Sequence, residues 1–164
     1  EELQVQHADK PMTQLAEAML TLRNNREQAQ AILEQIDIDS IKYPIILGSL
    51  GRTAAVLGMN EIAESALKDA ITKSRPLPIE RITLARIQKQ NGQPESALET
   101  LGNLGRIGVS HNSLAAMWLR ADLLLELGQS KEALRIAQSI SKLDPHSSET
   151  KSLLSRAELA LSSE

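Results

Sequence analysis

Arg52 and Arg86 occupy equivalent places in an internal repeat, Arg156 does so in the last expected helix, and Asp122 interrupts the series. Arginine presents a planar fork of donors that holds a carboxylate in a fixed geometry. Trp118, close to Asp122, is a large side chain of the kind enriched in binding hot spots. These residues suit recognition of an extended peptide or helix with acidic side chains and one apolar anchor. They also suit a plainer role, with the arginines solvated or paired to Asp122 and nearby glutamates, and Trp118 packed in the core.

Catalytic chemistry finds little support. The chain has no nucleophile elbow, phosphate loop, dinucleotide fingerprint or zinc-binding helix. The stretch from Gly102 to Gly108 is rich in glycine, but it follows an expected helix instead of a strand and lacks the phosphate-binding lysine. It reads as a flexible connection. His7, His111 and His146 are far apart and lie at element ends, and the many carboxylates fall on helix faces where most are solvated. No residue set converges on a metal or a cofactor, so neither is expected, and the chain is read as a non-enzyme.

Composition sets further bounds. A formal net charge of −3, with basic residues spread along the chain, argues against nucleic acid or an anionic membrane as partner. The most apolar expected helix is broken by Arg120 and Asp122, so no segment is expected to insert in a bilayer. Cysteine is absent, which excludes disulfides and thiolate metal sites without choosing a compartment. The chain begins at Glu1 with neither initiator Met nor signal sequence, so it is read as a processed form or an excised piece. Bacterial periplasm and cytoplasm both remain open.

What must position these residues is a recurring phrase: a helix-ending residue, a few polar residues, then alanine. It appears as Asn24 to Ala29, Gly58 to Ala63, Gly92 to Ala97 and Gly128 to Ala133. Successive copies begin 34, 34 and 36 residues apart, an interval characteristic of stacked helix pairs whose purpose is to present a surface. Hydrophobic content is 41%, yet Tyr43 and Trp118 are the only aromatic residues. An interior of Leu, Ile and Ala suits close helix packing, and strand signals are thin. The fold expected is all-α.

Periodicity and breakers place helices at about 11–23, 27–36, 44–57, 60–73, 78–91, 94–104, 111–127, 130–143 and 148–161. Leu15, Met19 and Leu22 form the expected apolar stripe of the first, and Ala29, Leu33 and Ile36 that of the second. Residues 1–9 are an unpatterned lead-in. The remainder, 10–164, reads as one domain with repeats at about 10–43, 44–77, 78–113 and 114–147 and a closing helix at 148–162. The 105–110 connection carries the two-residue insertion and is the expected hinge or variable loop.

The segment from Trp118 to Pro145 resembles a tetratricopeptide repeat. It has the small residue Ala121, then Leu124, Leu127-Gly128 at the turn, Glu132-Ala133-Leu134, and the terminator Leu143-Asp144-Pro145. Gly51 and Ala85 take the small position in the second and third pairs, with Ala63 and Ala97 in their second helices, while Glu17 makes the first pair degenerate. Leu47, Met117, Leu124, Leu33, Leu67 and Leu101 stand where the family has large aromatics, and Arg81 and Gln88 where apolar residues are usual.

The resemblance implies a right-handed α-solenoid of antiparallel helix pairs with a C-terminal capping helix. It also implies a concave groove lined by the first helix of each pair. Carried over position by position, the groove-facing residues are Gln14, Ala18, Gly48, Arg52, Ala55, Ile82, Arg86, Lys89, Trp118, Asp122, Leu125, Ser152 and Arg156. The binding set drawn from these is Arg52, Arg86, Lys89, Trp118, Asp122 and Arg156. The carboxylate clamp for chaperone tails is absent, since Gln14, Gly48, Ala18 and Arg52 hold its positions.

The function implied is a protein–protein interaction scaffold with a protein or peptide partner. Family analogy suggests a bacterial envelope, secretion or polysaccharide-export assembly. Self-association, with the lead-in docking into a neighbour, and a regulatory domain of a multidomain enzyme are the alternatives.

Overall fold

The computed structural model describes residues 10–74, 77–107 and 114–163, and among these every regular element is helical. The helices are α1 (Lys10–Thr21), α2 (Arg26–Glu34), α3 (Pro44–Leu57), α4 (Asn60–Lys73), α5 (Pro78–Gln90), α6 (Pro94–Leu101), α7 (Leu114–Glu126), α8 (Ser130–Leu143) and α9 (Ser148–Ser162). A single 3-10 turn, Ile38–Ser40, lies between α2 and α3. Helices this short are marginal alone in water, so packing against neighbours stabilises them. In the N-terminal half α1 packs on α2, α2 on α3 and α3 on α4, and in the C-terminal half α6 packs on α7, α7 on α8 and α8 on α9, as an all-α repeat array requires.

The recurring phrase has a physical basis at each copy. Gly58 adopts φ 77°, which an L side chain resists, and closes α3: the Met59 N–H donates to Ala54 O (2.9 Å) and the Gly58 N–H to Ala55 O (3.1 Å). The same closure recurs after α5 and α7, where Gln93 donates to Gln88 O (2.9 Å) and Gln129 to Leu124 O (2.8 Å). In the first copy Asn25 does a different job, its Oδ1 accepting from the Gln28 N–H at 2.9 Å to cap α2. The side chains of Arg26 and Gln30 then donate to Val56 O (2.8 Å) and Leu57 O (3.0 Å), satisfying carbonyls that α3 leaves open.

Two compact units emerge, Glu1–Ile87 and Gln88–Glu164, divided inside α5. In the first, Leu33, Leu47, Leu50, Leu57 and Leu67 fill the core, and Ala29, Ala54, Ala63, Ala66 and Ala70 let the helices approach. At Gly51 the helices leave no room for a side chain: a Cβ there would lie 2.5 Å from Leu67 Cγ and 3.1 Å from Ala63 O. In the second unit Met117, Ala121, Leu124, Ala133, Ile136, Ala137, Ile140, Leu153 and Ala157 make the core. The small residues Gly51, Ala85 and Ala121 and their partners Ala63, Ala97 and Ala133 are all buried, as the repeat pattern requires.

Several sequence expectations need correction. α6 stops at Leu101, three residues early, because Gly102 turns away at φ 56° and ψ −115°. Met19 is half exposed, and the buried positions of α1 are Pro11, Leu15 and Ala18. Ile36 is buried but lies beyond the end of α2. The 105–110 connection is described only through Ile107; the turn before it is held by the buried Arg120 guanidinium, which donates to Leu104 O at 2.7 Å and to Gly102 O. The lead-in 1–9, His7, Gly108 and His111 lie outside the described residues.

Candidate partner-binding site

Arg52 and Arg86 belong to the first unit, and Lys89, Trp118, Asp122 and Arg156 to the second. On α3, Arg52 Nη1 meets Glu80 Oε1 at 3.2 Å and its Nη2 meets Ser49 Oγ at 3.2 Å. Glu80 sits in the first turn of α5, where its Oε2 accepts from the Leu77 N–H at 2.9 Å. Its carboxylate is 5% exposed and occupies the space that a side chain on Gly48 would need. Gly48 is therefore a seat for Glu80. Arg86 is exposed on α5, with neither an ion pair nor a hydrogen bond to its side chain among the described residues.

In the second unit the charges are tightly coupled. Lys89 Nζ contacts Asp122 Oδ2 at 2.6 Å and Glu126 Oε1 at 2.9 Å, while Arg156 Nη2 donates to Asp122 Oδ1 at 2.7 Å. Asp122 thus ties α5 to α7 and α7 to α9. Burial of its carboxyl opposes ionisation, but the hydrogen bonds from Lys89 and Arg156 outweigh it, and Asp122 is held below the ordinary aspartate value. Lys89 is held above its ordinary value by the hydrogen bond to Asp122, against burial and with help from Glu126. Two cations and two carboxylates cancel, so this cluster is a clasp more than a source of positive potential.

Beside the clasp, α7 and α9 flank an open, shallow hollow of about 420 Å³ lined by Trp118, Ser148, Glu149, Ser152, Leu153 and Arg156. Trp118 is partly buried, packed against the core yet open on the hollow. Leu153, 1% exposed, belongs to the core beneath. α9 is started cleanly by Ser147, whose Oγ accepts from the Thr150 N–H at 3.2 Å. The Glu149 carboxylate accepts from Ser147 Oγ (2.7 Å) and Ser148 Oγ (3.1 Å), which hold it below the usual carboxylate range. Arg156 remains 54% exposed beyond its bond to Asp122. An indole wall, the Ser152 hydroxyl and a half-free guanidinium can accept an apolar side chain with a carboxylate or carbonyl beside it.

Residues 115–147 match the tetratricopeptide repeat family. That span covers α7, α8 and the turn to α9, so Trp118 and Asp122 lie within the repeat and Arg156 just beyond it. No curated protein and no solved structure matches the chain. A tetratricopeptide repeat is a protein-interaction module, typically non-catalytic, and no helix among the described residues is long and apolar enough to cross a membrane.

Of the thirteen groove-facing positions, Trp118, Ser152 and Arg156 come together on the one hollow. Ala18 and Ile82 are buried, and Gly48 is covered by Glu80. Sequence reading missed Glu80, although an acid at the third position of a helix opened by Pro78 is a recognisable cap. It also missed Ser148 and Glu149, which register alone assigns to the start of a helix, and Glu126, one turn beyond Asp122.

Proposed function

We propose that this chain is a non-catalytic scaffold, part of a larger assembly, that holds a partner peptide or helix in the α7–α9 hollow. Trp118 contacts an apolar side chain of the partner, and Arg156 receives an acidic or carbonyl group. The observation carrying this reading is that Trp118 stays open on a hollow it shares with Ser152 and Arg156. Lys89 and Asp122 hold the frame through the clasp, and Arg52 does the same for α3 and α5 through Glu80. On the first unit Arg86 offers a separate contact for an acidic side chain.

The test is selection of peptides from a random display library on the whole chain, followed by affinity measurement against Trp118→Ala and Arg156→Glu. Peptides with an apolar residue near an acidic one, bound at least tenfold more weakly by both variants, are the expected result. Peptides bound equally by both variants, with the helical fold intact, would place the interaction elsewhere.

A further inference from the structure

A second hollow in the Gln88–Glu164 unit has a different character. It measures about 650 Å³ and is lined by Arg106, Ile107, Lys131, Glu132, Arg135 and Ile136. Three cations meet one carboxylate there, in a chain whose formal net charge is −3. Lys131 and Arg135 stand four residues apart on α8, so two like charges share one helix face, an arrangement that weakens a helix unless something neutralises it. Neither side chain forms an ion pair or a hydrogen bond among the described residues, and Glu132 forms none either.

A further positive charge lies close by. Arg120, 3% exposed, spends its guanidinium on the carbonyls of Gly102 and Leu104 and has no carboxylate partner among the described residues. Arg120 is held below its ordinary value by burial first and by the charge of Arg106 second, with Glu132 partly opposing. The buried arginine and Arg106 on the hollow's wall are thus close enough to repel one another. α8 also begins without a side-chain cap from Gln129, leaving donors of its first turn open to another acceptor.

We propose that this hollow binds a phosphoryl group, either free phosphate or the phosphate ester of a partner. A phosphate dianion carries the charge that Lys131 and Arg135 lack and enough acceptor oxygens for both of them. Ile107 and Ile136 provide an apolar flank, which admits the carbon atoms attached to an ester.

The test is calorimetric titration of the whole chain, at fixed ionic strength, with inorganic phosphate, with a phosphoserine peptide and with its unphosphorylated form. Wild type is compared with K131Q/R135Q, with R106Q, and with K142Q/K151Q as a charge-matched control away from the hollow. The expected result is saturable phosphate binding, unchanged in the control and weakened about tenfold or more in K131Q/R135Q at unchanged melting temperature. R106Q weakens it in the same direction. A phosphopeptide bound tighter than phosphate identifies the ester of a partner as the source, and equal affinity identifies free phosphate. No saturable binding, or binding that the control loses as readily as K131Q/R135Q, overturns the proposal. So does tighter binding of the unphosphorylated peptide than of its phosphorylated form.

Discussion

Replacing Asp122 by Asn should destabilise the fold at neutral pH and do so less and less as the solution is acidified. The substitution keeps the shape but removes the charge that Lys89 and Arg156 share, turning a neutral four-charge cluster into one with net charge +1. The Arg156 arm is more than half exposed and is worth about 0.5 kcal/mol after solvent screening. The Lys89 arm is better shielded, at 26% and 24% exposure, and a charge-assisted hydrogen bond of that kind contributes about 1.5 kcal/mol. Lys89 keeps Glu126 at 2.9 Å, which limits the loss. The total is about 2 kcal/mol, or a drop of about 4–8 °C in Tm for a chain of this size.

The pH dependence follows from the lowered value of Asp122. A carboxylate depressed in the folded state stabilises it fully above its unfolded value, near 3.8, and that contribution is lost as pH falls through the folded value. At the alkaline end Lys89 is raised above 10.5, so its contribution is whole below that value and disappears as pH rises through the folded one. Urea unfolding followed by circular dichroism, from neutral pH into the acid range, measures the gap between wild type and Asp122→Asn. Equal stability at neutral pH, or a gap that stays constant under acid, would refute the clasp.

Three further outcomes follow from the packing. Gly51→Ala should cost about 1–3 kcal/mol in chemical denaturation, even though alanine favours a helix interior by about 1 kcal/mol, because the new Cβ meets Leu67 and the Ala63 carbonyl. Arg120→Met should lower stability by about 2–3 kcal/mol and speed amide exchange around residues 102–106, since two carbonyls lose their donor. Trp118→Ala should weaken partner binding about thirtyfold. In thermal unfolding it should cost less stability than Ile140→Ala, whose side chain is fully buried and whose loss costs about 2–5 kcal/mol.

The helices were readable because their punctuation is local chemistry. Pro44 at a helix start and Gly58 at its end fix α3 to the residue, and α4 and α8 fall equally well on their expected bounds. Where the ending signal is ambiguous the reading slips: Gly102 and Gly105 both adopt positive φ, and the first ends α6 before the apolar pattern does. Positions identified from the repeat register were right for burial at small residues such as Ala85 and Ala121, since a small buried residue is a local requirement of each pair.

The charges were harder. Which arginine finds a carboxylate depends on residues a whole repeat away, as with Arg52 and Glu80 or Asp122 and Arg156. Arg120 reads in sequence as a polar break in an apolar helix, yet it is buried and holds a loop. The basic hollow on α8 escaped because it joins Arg106 to residues 25–29 positions later, on a helix face outside the groove register.

The chain has a single tryptophan, so its nitrogen-labelled spectrum contains one indole N–H resonance, and that resonance reports on the α7–α9 hollow directly. Titrating the labelled chain with a display-selected peptide is the most direct test of the scaffold reading. The account predicts that the Trp118 indole shifts in step with saturation and that Arg156→Glu abolishes the shift at equal peptide concentration. An indole resonance that stays fixed while resonances elsewhere saturate would contradict it and move the partner site off this cleft.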